Sequence, residues 1–233
     1  MMKMMINDKN YKNLEVDSQI FEGSSRILLL GGSHCGKTHF LQNLVLRHEK
    51  KFKKIILCGT PNDLLEYPQT KGKTVRHEGI YDPFEEAAED LQEDDDRQIL
   101  VVYDDLMSEA YNSQIISRLF SRGRHYRIST VLVLQSYFPS GSGRSILPMV
   151  KNNASIQIFF RLRNQAEMSL VGRKLEFDKR NIQFFSDLIQ REVYGKKYGY
   201  VAVYMDESNP EARYRNNLVG EDGSPHETVY THK

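Results

Sequence analysis

Cysteine is scarce in this sequence, and neither sign of charge is in excess. The two cysteines, Cys35 and Cys58, cannot build a zinc-type cluster by themselves and read as reduced thiols of an intracellular protein. The 32 basic and 31 acidic side chains nearly cancel. Any nucleic-acid surface must therefore come from local clustering or from oligomerisation. Long hydrophobic runs are missing too. Nowhere do about 18 apolar residues follow one another, as a membrane span requires. The opening "MMKMMINDKNYKN" has several methionines but no continuous apolar core of signal-peptide length. The expectation is a soluble, unsecreted chain with no membrane partner. There is no internal repeat, and the one low-complexity stretch, "EDDDR" at Glu93–Arg97, reads as a solvated loop and not a metal site.

What is present suffices for a sizeable core. With 233 residues and 39% hydrophobic content, the length fits one globular domain with short appendages and not a tandem two-domain motor. Short apolar runs alternate with helical stretches: Ile27–Leu30, Ile55–Cys58, Ile99–Tyr103, Thr130–Leu134, Ile156–Phe160 and Tyr200–Tyr204. Continuous runs of this length suit strands covered on both faces, and helices between them imply parallel crossovers. Helices are expected over Lys37–Lys50, Pro83–Gln92, Ser113–Ser121, Gln165–Lys174 and Asp178–Gln190, with Asp82 as a cap before Pro83. The fold expected is a three-layer α/β domain with a mostly parallel central sheet flanked by helices, over residues 23–205. Residues 1–22 read as a polar lead-in with a short strand around Tyr11–Val16. Residues 206–233, polar and punctuated by Pro and Gly, read as a tail or peripheral extension.

The chemistry begins at "LLLGGSHCGKTHFLQNLVL", Leu28–Leu46. Gly31, Gly36, Lys37 and Thr38 satisfy G-x-x-x-x-G-K-[ST]. In this motif backbone N–H groups and the helix N-terminus bind phosphates, lysine reaches the β- and γ-phosphates, and threonine ligates Mg²⁺. The strand "RILLL" before it and the amphipathic helix after it are the context the motif needs. Gly31, Gly32, Ser33, His34, Cys35, Gly36, Lys37, Thr38 and His39 thus form the candidate binding loop for ATP. The pattern tolerates any residue at His34 and Cys35, whose side chains get no chemical role. A metal–nucleotide site also needs a carboxylate at a neighbouring strand end. "QILVVYDDL" supplies Asp104 for the metal. Asp105 either orients or deprotonates the attacking water or simply caps the following helix.

No N-K-x-D guanine-reading motif and no L-S-G-G-Q signature occurs, so a GTPase and an ABC subunit are disfavoured. The stretch "SRLFSRGRHYRISTVLVLQS" crowds Arg118, Arg122, Arg124 and Arg127 at the end of a helix and then runs a β-branched strand into Gln135. A polar residue at that strand tip can contact the γ-phosphate or its water. Arginines on the exposed turn can reach a neighbouring subunit's phosphate, or else be a solvated helix end favoured by the dipole. "KFKK", Lys51–Lys54, reads as a solvated cap. Arg161 and Arg163, after the strand "SIQIFF", fit either a DNA-backbone channel or surface salt bridges.

The run "GRHYRISTVLVLQSYFPS", followed by "LPMVKNNASIQIFFRLRNQAEMSLV", resembles the FtsK–HerA superfamily of DNA-pumping P-loop ATPases. Its short single-domain form with an Asp-Asp ending most resembles the poxvirus-type genome-packaging ATPases of large DNA viruses, virophages and Polinton-like elements. The resemblance spans about Arg26–Tyr204 and implies a RecA/ASCE-like P-loop fold. It also implies a homo-oligomeric, hexameric ring that uses ATP and Mg²⁺ to move double-stranded DNA into a preformed capsid at a capsid or portal-vertex protein, in the infected cell. By the same resemblance Lys37 and Thr38 contact phosphate and metal, Asp104 is the metal carboxylate, Asp105 the catalytic acid and Gln135 the sensor. Arg124, and after it Arg122, is the trans-acting finger. Many members carry glutamate where Asp105 stands, and the shorter side chain leaves its role as base open. A cellular or mobile-element DNA translocase, a small-molecule P-loop kinase and an ATP-binding protein without turnover stand as the alternatives.

Overall fold

The six apolar runs read from the sequence are six strands of one sheet, each fully or almost fully buried. The computed structural model describes residues 11–60, 73–91, 95–137, 145–162, 164–175, 179–207, 213–220 and 226–232. In chain order the elements begin β1 (Tyr11–Asp17), β2 (Arg26–Leu30), α1 (Lys37–His48), β3 (Phe52–Gly59), β4 (Thr74–Glu78), α2 (Phe84–Asp90) and β5 (Gln98–Tyr103). There follow α3 (Met107–Ala110), α4 (Gln114–Arg122), β6 (Ile128–Leu134), α5 (Leu147–Asn153) and β7 (Ile156–Phe160). The chain closes with α6 (Gln165–Leu175), α7 (Lys179–Ile189), β8 (Tyr200–Tyr204), β9 (Tyr214–Asn216) and β10 (His226–His232).

The ten strands lie in the order β1-β10-β9-β8-β7-β2-β6-β5-β3-β4. From β7 to β4 every neighbour is parallel. Strand period two sends Ile27 and Leu29 of β2 to one face and Leu28 and Leu30 to the other, so two cores form. One packs α1 through Phe40, Leu41, Leu44 and Val45. The opposite core takes up α2, α4, α5, α6 and α7 through residues such as Ala87, Leu119, Val150, Val171 and Phe185. This is the expected three-layer α/β arrangement.

One expectation needs correction. Strand β8, read as reached by a parallel crossover, runs antiparallel to β7. The reason is that two full-length helices lie between them, whereas of the two between the parallel strands β5 and β6 one, α3, is a single turn of four residues. One helix returns the chain to the end from which the previous strand started, whereas the packed pair α6 and α7 returns it to the other end. β8 must then run backwards. The antiparallel direction persists through β9, β10 and β1.

The first and last described strands therefore meet within the sheet. Tyr11–Asp17 pairs with His226–His232 along its whole length. The pairing closes over Glu227, which is 0% exposed. Its carboxylate accepts from Ser18 Oγ at 2.8 Å, Gln19 N at 3.1 Å, Tyr204 Oη at 2.9 Å and Arg215 Nη1 at 3.0 Å. Arg215, 3% exposed, is shared with Glu207 at 3.1 Å. A buried carboxylate is tolerated only with such full hydrogen-bonding, and removing one partner strands the other charge.

Glu227→Ala is expected to lower the unfolding free energy by about 3 to 5 kcal/mol, read by urea unfolding followed by circular dichroism. A loss below about 1 kcal/mol, the size of an ordinary hydrogen bond, would mean that Glu207 alone neutralises Arg215.

Candidate nucleotide-binding site

The site is built at the C-terminal edge of the parallel strands, where β2 gives way to the loop Gly31–Gly36. Two backbone hydrogen bonds suspend that loop between its neighbours: Gly31 N–H donates to Leu134 O of β6 at 3.1 Å and Gly32 N–H to Arg161 O beyond β7 at 2.9 Å. Side chains have no room here. A Cβ on Gly31 would lie 2.6 Å from Phe160 Cβ and 2.7 Å from Cys35 Sγ. His34 (φ 59°) and Gly36 (φ 96°) both adopt left-handed backbone, which curls successive N–H groups toward one concavity.

Helix α1 starts at Lys37 with no side-chain cap and no acid in its first turn, and its first internal bond is Phe40 N–H to Gly36 O at 2.9 Å. The amides ahead of Phe40 have no intrahelical acceptor, and the dipole adds positive potential there. The Lys37 ammonium folds over the loop and donates to Gly31 O at 2.8 Å and Gly32 O at 2.6 Å. Cys35 Sγ donates to Gly32 O at 3.0 Å. Burial pushes the Cys35 thiol up despite the adjacent Lys37, so at neutral pH it brings no negative charge into the loop. A glycine cradle closed to Cβ atoms, open helix amides and a lysine within reach together fit a polyphosphate. Thr38, at the mouth, is half-buried, and exposed His39 is engaged by Asn43 one turn on, through His39 O at 2.9 Å.

The acidic side of the site comes from β5, whose six residues are all buried. Asp104 is buried at the strand end, its N–H donating to Cys58 O at 2.9 Å. Asp105 is exposed and held at φ 53°, an uncommon backbone state for a residue with a side chain. Gln135, at the tip of β6, donates through Nε2 to Asp105 Oδ1 at 3.2 Å. Because β6 lies between β2 and β5, Gln135 stands between the loop and the two acids. Lys37, Thr38, Asp104, Asp105 and Gln135 thus share one edge of the sheet. Among the described residues no group of three or more His, Cys, Asp or Glu side chains could hold a metal by itself. A cation here would need Thr38, Asp104 and phosphate oxygens jointly.

The arginine cluster lies elsewhere. Arg122 ends α4, and Arg124 sits in the short 3-10 turn Gly123–Tyr126 that precedes β6. Seven residues of β6 at 3.3 Å each separate that turn from the loop edge by about 20 Å. Arg118 pairs with Asp82 and covers the Phe84 ring, and Arg127 pairs with Asp96. Arg122 and Arg124 are exposed. Arg161, a candidate for DNA contact or a surface salt bridge, stands beside the loop with its guanidinium 5.5 Å from the centroid of the Tyr194 ring. Arg163 lies outside the described residues.

Beyond β7 the loop borders a cavity of about 450 Å³ that sequence reading did not anticipate. Its far wall is the turn "GKKYGY", Gly195–Tyr200, which contributes Lys196, Lys197 and Tyr198. The only signal for it was two cations and an aromatic between glycines, lying in the gap left between the expected helix end at Gln190 and the strand start at Tyr200.

A family model described as "Poxvirus A32 protein" matches residues 79–200, just over half of the 233 residues. A comparison with curated proteins gives no match. Among solved structures, the genome packaging NTPase B204 from Sulfolobus turreted icosahedral virus 2 in complex with ATP-gammaS is similar. It superposes with a TM-score of 0.53 at 15% identity, covering 80% of this chain and 94% of that one. The AMPPCP complex of the same protein gives a TM-score of 0.51 at 12% identity over 80% and 95%. At these identities the likeness establishes the fold, a P-loop NTPase.

Gly31→Ala is expected to force the loop off Phe160 and Cys35, costing about 1 to 3 kcal/mol of stability and abolishing triphosphate binding. Thermal unfolding with and without ATP checks both. An alanine variant still stabilised by ATP would show that the cradle yields.

Proposed function

Because this chain belongs to the poxvirus A32 protein family, we propose that it is an ATPase that drives double-stranded DNA into a preformed viral capsid. The observation that carries the reading is the hydrogen bond between Gln135 and Asp105 on adjacent strand ends beside the glycine loop. A phosphate loop alone binds nucleotide. A carboxylate held in a fixed orientation beside it is what hydrolysis of the terminal phosphate needs.

Gly31 to His39 bind the triphosphate through backbone amides. The Lys37 ammonium exchanges the carbonyls of Gly31 and Gly32 for β- and γ-phosphate oxygens. Thr38 Oγ1 and the Asp104 carboxylate would hold Mg²⁺, which when bound neutralises phosphate charge as it develops on the leaving group. Gln135 Nε2 fixes Asp105 by one oxygen, Oδ1, so that the other, Oδ2, accepts the proton of the attacking water. The left-handed backbone at Asp105 is strain of the kind retained where it aims a reacting group.

Arg124, with Arg122 second, completes the site of the next subunit and not its own, since the sheet's length lies between it and its own loop. A guanidinium arriving from a neighbour stabilises transition-state charge and ties hydrolysis to assembly. The assembly is a hexameric ring around duplex DNA, gripping the phosphate backbone without base reading, and it works at a capsid or portal-vertex protein where virions form in the infected cell. Among the described residues no helix is long and apolar enough to cross a membrane.

The test is ATP hydrolysis with and without long duplex DNA, on material whose oligomeric state is measured alongside. DNA-stimulated turnover by rings is expected, and DNA-independent phosphorylation of a small acceptor by monomers would reject the reading. Lys37→Ala and Asp104→Ala abolish turnover. Arg124→Ala keeps nucleotide affinity while losing hydrolysis on the order of a thousandfold. Assembled Arg124→Ala rings that hydrolyse at the wild-type rate would remove Arg124 from the finger role.

A further inference from the structure

We propose that the turn Gly195–Gly199 is the nucleoside half of the site, with the Tyr198 ring as a stacking platform for a purine base. The proposal rests on the reading that the loop binds a nucleoside triphosphate and says where the rest of that molecule lies.

Topology gives the direction. β2 lies between β6 and β7, so the loop has Asp104, Asp105 and Gln135 on its β6–β5 flank and the cavity on its β7–β8 flank. A polyphosphate whose reacting end faces Asp105 carries its other end over that cavity. The cavity suits a nucleoside: Leu162 and Val193 are apolar, Tyr198 offers a π-face, and Arg161, Lys196 and Lys197 line the same space. The Lys197 ammonium lies 5.0 Å from the centroid of the Tyr198 ring, so cation and aromatic stand together on the wall of the cavity.

Tyr198 itself is the stronger indication. Its backbone has φ 61°, a conformation few residues with a side chain adopt, yet the residue is 53% exposed. Burial therefore does not explain why the ring is held there. It lies against the phosphate loop: a Cβ placed on Gly36 would come within 3.1 Å of Tyr198 Cβ and Cδ1.

The turn is held rigidly from beneath. A Cβ on Gly199 would approach Glu192 O within 1.9 Å and one on Gly195 would approach Arg191 O within 2.5 Å, so both positions demand glycine. Glu192, 4% exposed, accepts from Arg191 Nε at 2.8 Å, Lys196 Nζ and Asn216 Nδ2 at 3.2 Å. An exposed aromatic fixed in unfavourable backbone beside a phosphate cradle is what a preorganised base platform looks like, because stacking requires a ring that does not have to be ordered on binding.

The experiment compares ATP with inorganic tripolyphosphate, which has no base. Tyr198→Ala should weaken ATP binding roughly tenfold or more in titration calorimetry, the scale of one lost base stack, and leave tripolyphosphate affinity unchanged. Tyr198→Phe should restore ATP affinity. The chain has no tryptophan, so Tyr198→Trp adds a single indole whose emission, excited selectively over that of the tyrosines, ATP but not tripolyphosphate should quench. Equal weakening of both ligands by Tyr198→Ala would mean that the ring only buttresses Gly36, and unchanged ATP affinity would remove it from the site. Either result overturns the proposal. A wild-type chain that bound neither ligand would overturn the phosphate-loop reading and this inference with it.

Discussion

The geometry of the site depends on how the glycine loop is hung. Two backbone hydrogen bonds, from Gly31 to the end of β6 and from Gly32 to the residue after β7, fix the cradle to the two strands that flank β2. Everything the loop meets is set by this suspension. β6 delivers Gln135 to one side, β7 delivers Arg161 and Leu162 to the other, and Phe160 underneath admits no side chain at Gly31. The fully buried parallel strands make the suspension stiff, because a shift of β2 would have to break a hydrogen-bond ladder along each of its edges within a close-packed core.

That arrangement explains which parts were legible in the sequence. Strands covered on both faces need unbroken apolar runs, so β2, β5, β6 and β7 announce themselves, and the residues just after each run are the ones that line the edge. Lys37, Asp104, Asp105 and Gln135 are therefore legible in the sequence as neighbours on one edge of the sheet. The rest is legible only in part: strands are expected around Tyr11–Val16 and at Tyr200–Tyr204, whereas β4, on the parallel side, and β9 and β10, on the antiparallel side, are not. β4 and β9 have polar sequences, "TVRHE" and "YRN", whose place is set by neighbouring strands more than by their own pattern. The direction of β8 depends on two helices packing as a pair, which no local pattern records. Glu227 is the clearest case. A lone glutamate in a polar stretch reads as solvated tail, and only the return of Ser18, Gln19 and Arg215 around it makes it a buried hub. Tyr198 escaped for a related reason: its turn is placed by Gly36, against which Tyr198 lies, and by Glu192 beneath Lys196 and Gly199, none of them adjacent to it in a recognisable pattern.

The two halves of the sheet then divide the work. The parallel half holds the phosphate loop and the acids. The antiparallel half, which closes the N-terminal strand against the last one, supports the cavity wall through Asn216, whose amide reaches Glu192 beneath the Lys196–Tyr198 turn. A chain whose ends were merely appended would leave that wall without support. Here the first and last described strands are tied indirectly to the nucleotide pocket: β10 lies between the edge strand β1 and β9, and its Tyr230 hydroxyl accepts from the same Asn216 amide that reaches Glu192.

At the other end of the parallel half stand Arg122 and Arg124, exposed and on the order of 20 Å from the loop they would have to serve within one subunit. Charges at that distance across protein and solvent contribute little to a transition state, whereas a guanidinium in contact contributes several orders of magnitude. The length of β6 therefore makes the choice sharp. Either these arginines are solvated helix-end charges, or they act on a second molecule whose loop edge faces this end of the sheet. The second arrangement repeats head to tail, and such contacts close into a ring when the rotation between subunits permits and run on as a filament when it does not. In such a ring no subunit holds a complete active site alone, and hydrolysis becomes a property of the interface.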